Sequence, residues 1–194
     1  AFHDDRLDRV TNQKGRIKKL NYADVACARV DNSEPIPLME ELLGDFPDIY
    51  FNIDPKSDAA VQPLIEIIKR TASEDRVCVG SFSDRRLRQI RSALPEVCTS
   101  MATYEAARAK LNSFGVRLGS LSANCAQVPV TWNGVSVVDR RFIQAMKAQG
   151  IPVHVWTIND ASEMHRLLDM GVDGIMTDRP ALLKSILISR KQWF

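Results

Sequence analysis

Residues 49–54, IYFNID, and residues 77–82, VCVGSF, decide the fold. Both are short runs rich in β-branched and aromatic residues, and each gives way to a longer amphipathic stretch. The alternation continues with VCTSM (97–101), CAQVPV (125–130), VHVWTI (153–158) and GIMTD (174–178). Their starts lie 28, 20, 28, 28 and 21 residues apart. That spacing predicts successive βα units, each a buried parallel strand followed by a surface helix.

The stretches between the runs carry helix signals at both ends. Ser57 is placed to cap a helix whose inner face is Val61, Leu64, Ile65 and Ile68. Ser83 caps the next, with Leu87, Ile90 and Leu94 inward. Asp139 opens another over Phe142, Ile143 and Met146, with Gly150 near its end. Asp160 and Glu163 have the spacing of a capping box before Met164, Leu167 and Leu168, and Gly171 ends that helix. Pro180 suits the first turn of a last helix over Leu182, Leu183, Ile186 and Leu187. Thr103 to Leu111 reads as helix, and SFGVRLGSLSAN (113–124) as loop.

Six units without a linker predict an α/β fold, either a barrel or an open doubly wound sheet. No Rossmann or P-loop glycine pattern occurs, which favours the barrel. A TIM (β/α)8 barrel needs eight units, so about six are present, and the expectation is that the other two precede Ala1. Residues 1–194 then form a single, N-terminally truncated domain. A fragment of this kind leaves the flanks of its first and last strands unpaired, which predicts association into homo-oligomers.

Composition bounds the function. The chain is 45% hydrophobic and 26% charged, with a net charge of +2, so no field recruits nucleic acid. No apolar run approaches the ~20 residues of a transmembrane segment. The cysteines, Cys27, Cys78, Cys98 and Cys125, show no CxxC pair and read as reduced structural thiols of a cytoplasmic protein, with a disulfide as the alternative for a secreted one. A missing N-terminus leaves secretion or membrane association open.

Catalytic groups of such barrels gather where strands end. Asp54, Lys56, Ser81, Gln127, Trp156, Asn159 and Asp178 hold those positions. In FNIDPK, alternation puts Asn52, Asp54 and Lys56 on one face and Phe51, Ile53 and Pro55 on the other. Three polar groups on one face of a parallel strand point into a polar barrel mouth, or mark a solvated edge. Asp54 offers a hard oxygen ligand and Lys56 a point charge for phosphate; a plain ion pair between them is the simpler reading. His3, followed by Asp4, is a candidate acid/base or a surface histidine. His154 shares parity with Trp156 and reads as a filler one layer deeper. His165 reads as a surface residue. Trp156 is either a wall for an apolar or glycerol-like group or a core residue, and Trp132 is partly exposed.

FHDDRLDRVT (2–11), IPLMEELL (36–43), FNIDPK (51–56), VGSF (79–82), QVPV (127–130), VHVWTIND (153–160) and GVDGIMTDRP (171–180) together resemble the glycerophosphodiester phosphodiesterase family over essentially the whole chain. The resemblance implies a TIM barrel that hydrolyses glycerophosphodiesters to glycerol 3-phosphate and an alcohol, with a divalent metal, Mg2+ or Ca2+. His3 and Asp4 match the family's His-Asp pair, with His3 the general acid and Asp4 its support. Asp54 matches a metal carboxylate, usually Glu in the family and Asp in some relatives. Lys56 matches the catalytic, phosphate-side lysine. Trp156 matches the substrate-pocket tryptophan, and Gln127 is expected at the substrate too. The family's His-Arg pair and Glu-x-Asp metal pair are expected before residue 1, so these 194 residues alone are expected to be inactive. Two other readings stand beside this one. One is a non-catalytic or truncated barrel that binds phosphate-bearing ligands, and the other is a lipid-directed, phospholipase D-like relative.

Overall fold

A computed structural model describes residues 1–116 and 118–193. Arg117, inside the loop expected over 113–124, lies outside the described residues. The first third of the chain is short elements: α1 (Tyr22–Ala26), β1 (Arg29–Val30), β2 (Glu34–Pro35) and α2 (Met39–Asp45). The βα units follow as β3 (Phe51–Ile53), α3 (Val61–Arg70), β4 (Val77–Val79), α4 (Asp84–Ala93), β5 (Cys98–Thr99), α5 (Thr103–Asn112) and β6 (Ala126–Pro129). A small hairpin, β7 (Thr131–Trp132) and β8 (Val135–Ser136), precedes α6 (Arg140–Lys147), β9 (Val153–Trp156), α7 (Ala161–Met170), β10 (Gly174–Ile175) and α8 (Pro180–Ser189).

All six expected runs contain a strand, and all six strands are parallel. They form two three-stranded sheets, β3-β4-β5 and β6-β9-β10. One parallel bridge, Ser100 to Cys125, joins the sheets into a single arc. Hydrogen bonds thicken this seam: Met101 N donates to Cys125 O (3.1 Å) and Asn124 N to Thr99 O (2.8 Å). The arc is the wall of a TIM barrel that does not close among the described residues, because β3 and β10 each have one unpaired flank.

Alternation sets two faces. Ile53, Val77, Val79, Val97, Val128, Val153 and Val155 point outward into the helices and are buried. Two apolar clusters result, one under α3 and α4 and one under α6 and α7. Asn52, Cys78, Cys98, Gln127, His154 and Trp156 alternate with those residues and face the hollow of the arc. Asn52, on that face, is exposed among the described residues.

The helix signals hold with two corrections. Ser83, Asp139 and Asp160 accept from the backbone N–H of Arg86, Phe142 and Glu163, and Gly171 takes φ +96° at the end of α7. Ser57 makes no cap bond: a 3-10 turn over Asp58–Ala60 comes between it and α3. Glu163 does not reach back to Asp160, because Arg166 takes both of its oxygens at 2.6 Å. His165, expected at the surface, is half-buried, and Arg190 Nη1 lies 3.4 Å from its Nδ1.

Candidate active site

The N-terminal segment folds around Leu7, which is fully buried. Leu7 N donates to Gly15 O, Ile17 N to Asp5 O and Asn12 N to Arg29 O, each within 3.1 Å. This frame holds His3 at the surface with its side chain 75% exposed. His3 Nδ1 lies 2.8 Å from Asp4 Oδ1. Arg9 clamps the same carboxylate with Nε on Oδ2 (2.6 Å) and Nη2 on Oδ1 (3.0 Å). The Arg9 bonds, and next the His3 bond, hold Asp4 far below the usual carboxylate range. Asp4 is thus a fixed anion behind the ring, which places the free Nε2 outward.

At the end of β3, Lys56 Nζ donates to Asp54 Oδ2 (2.7 Å). The chain beyond is fixed by Arg86, which donates to Pro55 O (3.0 Å) and to Asp58 Oδ1 (2.8 Å). Beyond β9 and β10, Asn159 Nδ2 donates to Asp178 Oδ2 (2.8 Å), and Asp178 N and Thr177 Oγ1 both donate to Asn159 Oδ1 (2.9 Å). Trp156 meets Phe82 edge-on with ring centroids 5.7 Å apart, and Phe82 reaches Trp132 at 5.9 Å. These three rings wall one side of the mouth. Phe82 and Trp132 had no role in the sequence reading; only their places, just after a strand and in the next hairpin, could have signalled one.

Gln127 sits deeper than the rim. Its Nε2 donates to Asn52 Oδ1 (2.9 Å) and lies 3.5 Å from Cys78 Sγ. His154 is half-buried, as a filler should be, and burial pushes its pKa down. It fits only because Gly174 lacks a side chain: a Cβ there would stand 2.8 Å from His154 Cδ2. Ser81 is buried beneath the rim.

A hard cation would need several oxygen ligands. Asp54 supplies one carboxylate, already engaged by Lys56. Among the described residues no group of three carboxylate or histidine ligands gathers around it. The described residues therefore do not complete a Mg2+ or Ca2+ site on their own.

The glycerophosphoryl diester phosphodiesterase family matches residues 1–182. The chain belongs to this family. Its members generally depend on a divalent metal. The chain is similar to a probable glycerophosphodiester phosphodiesterase 2 of Mycobacterium tuberculosis, 37% identical over 99% of this chain and 75% of the relative. It is 28% identical to a glycerophosphodiester phosphodiesterase of Caldanaerobacter subterraneus, over 96% of this chain and 79% of that one. Among solved structures, a phosphodiesterase of Oleispira antarctica in complex with the product sn-glycerol-3-phosphate superimposes with a TM-score of 0.77 at 21% identity, covering 96% of this chain and 78% of that chain. The fold of this phosphodiesterase family is thus the TIM barrel expected, seen here as its six-strand arc. No helix among the described residues is long and apolar enough to cross a membrane.

Proposed function

We propose that the protein hydrolyses glycerophosphodiesters to glycerol 3-phosphate and an alcohol, with His3 as the general acid. The observation that carries this reading is the His3–Asp4–Arg9 chain. Asp4, kept ionised by Arg9, accepts from His3 Nδ1 and orients the ring. The proton on His3 Nε2 is then free for the leaving alcohol oxygen as its bond to phosphorus breaks and water oxygen bonds to phosphorus. Lys56, released from Asp54 or shared with it, supplies positive charge to the phosphate oxygens. Trp156 and Phe82 give the substrate an apolar wall, and Gln127 holds Asn52 beneath it. Asp54 is the oxygen donor this chain contributes toward a divalent cation, Mg2+ or Ca2+, which when bound neutralises charge on phosphate.

The test is His3→Ala in the full-length protein, assayed on a glycerophosphodiester. Turnover should fall about 10²–10⁴-fold, the usual contribution of one general acid, while KM changes little. Near-normal turnover would remove His3 from the mechanism. An unmutated full-length protein that binds glycerol 3-phosphate yet turns nothing over would instead be a binding barrel. The aromatic wall supports a second reading, a lysophospholipid substrate, which the same assay separates by preference for a substrate whose glycerol carries a long acyl chain.

A further inference from the structure

Cys78, Cys98 and Cys125 lie far apart in sequence, yet their sulfurs all fall within 4.8 Å of one another. Cys78 and Cys98 are lateral partners on β4 and β5. Cys125 comes across the seam and is paired with Ser100. All three face the hollow, with Cys125 buried and the other two half-buried. The Sγ atoms of Cys78 and Cys125 are 3.6 Å apart.

We propose that these three cysteines form a thiolate site for a thiophilic cation of the Zn2+ kind. Zinc takes sulfur at about 2.3 Å, and tetrahedral geometry then sets neighbouring sulfurs about 3.8 Å apart. The trio is already close to that spacing. Its partners also suit a cation better than a disulfide. Cys78 and Cys125 have β5 between them, so they are not lateral neighbours and their backbones stand farther apart than one strand spacing of about 4.8 Å. A disulfide needs Cα atoms within about 7 Å, so this pair, set across an intervening strand, is poorly placed to close one. Three sulfurs around one ion are free of that limit.

The surroundings match a thiolate cluster. Gln127 Nε2 points a donor at Cys78 Sγ, 3.5 Å away. The His154 imidazole is near enough to feel charge on Cys98. Such neighbours fix and tune metal-bound sulfur. A water molecule can complete the fourth position of such a site. The oxygen-preferring site proposed at Asp54 is a different place with different ligand chemistry, so this assignment does not depend on phosphodiester hydrolysis.

The experiment titrates the reduced, metal-free full-length protein with Co2+ as the spectroscopic probe, followed by Zn2+ competition. One equivalent should give thiolate-to-cobalt charge-transfer absorption and the strong visible bands of a tetrahedral site, both displaced by Zn2+. Cys78→Ser and Cys98→Ser should each lose those bands, and the exposed Cys27→Ser should keep them. Absent bands, or bands unchanged in both cluster variants, overturn the proposal. If a variant fails to fold, alkylation of the unmutated protein decides. Zn2+ should protect these three thiols while Cys27 stays reactive; equal labelling with and without Zn2+ overturns the site.

Discussion

The first wing of the arc, β3 to β5, and the second, β6, β9 and β10, are built from the same βα unit but held by different forces. The second packs Phe142, Met146, Met164 and Leu167, all fully buried, beneath α6 and α7. Its helices start on carboxylate caps, Asp139 and Asp160. The first wing buries aliphatic residues such as Ile68, Leu87 and Ile90, and adds arginines that reach into the backbone. Arg76 donates to Phe46 O (3.0 Å), Arg86 to Pro55 O (3.0 Å) and Arg91 to Ser100 O (3.0 Å). An arginine fork ties several loops at once and keeps its charge. The wing that fixes Asp54 and Lys56 therefore adds a set of directional bonds to its apolar cluster, and the wing that carries Trp156 and Asn159 leans more on apolar contact. Each should fail to a different kind of substitution.

The largest difference should come from Phe142→Ala. Removing a fully buried phenylalanine costs about 3–5 kcal/mol, through lost transfer energy and the cavity left behind. Urea unfolding should report that loss. Native-state hydrogen exchange should show where it falls: amides of β6, β9 and α7 lose protection first, because the seam between the wings rests on one bridge and a few hydrogen bonds. Equal loss across β3 and β4 would mean that the wings open as one unit, and the contrast between them would go.

The wings themselves were legible in the sequence because local signals specify them. Alternating β-rich runs and helix-capping residues need only their near neighbours, so all six strands and the caps at Ser83, Asp139 and Asp160 fell where expected. What was hidden depends on contacts distant in sequence. Even scatter made Cys78, Cys98 and Cys125 look like filler; only register and the seam bring them together. The Phe82–Trp156 contact likewise spans the two wings. The fold around Leu7 is held by backbone bonds between irregular loops, which leave no periodicity to read. Within the site, His3 and Asp4 could be paired by adjacency, but Arg9 as the clamp on Asp4 could not. The metal expectation at Asp54 came from its place on the polar strand face and from resemblance, and the described residues add no further carboxylate to it.

Arg91→Ala sharpens the contrast from the first wing. Arg91 donates to Thr99 Oγ1 (2.8 Å), Ser100 O and Glu105 Oε2 (2.9 Å), and Glu105 is buried. Breaking a buried pair from one side costs about 3–5 kcal/mol because a charge is left unpaired. Arg91 keeps 22% of its side chain exposed, so water can reach the gap and about 2–3 kcal/mol is expected by chemical denaturation. Arg91→Lys should recover little of it, since an ammonium cannot make the three bonds of the fork. Full recovery by lysine would mean that charge alone, rather than directional bonding, fastens this wing.

The smallest expected effect is at the cap of α6. Asp139 Oδ1 accepts from Phe142 N (2.8 Å) and Oδ2 from Lys110 Nζ (2.6 Å), so one carboxylate starts α6 and ties it to α5. Asp139→Ala should cost about 1 kcal/mol, a normal price for a lost N-cap. Partial burial pushes its pKa up, but Lys110 and the cap bonds outweigh that and leave it below its ordinary value of 3.8. The unfolded chain therefore takes up the proton first as pH falls. The stabilisation is complete well above pH 3.8 and is lost as pH drops through and below that value. Asp139→Asn keeps a cap acceptor without the charge. It should retain much of the stability near neutrality and flatten this acid-side loss, as read from denaturant midpoints across the range. An unchanged slope in Asp139→Asn would mean that acid instability of the second wing comes from another carboxylate, with Asp160, the cap of α7, next to be changed.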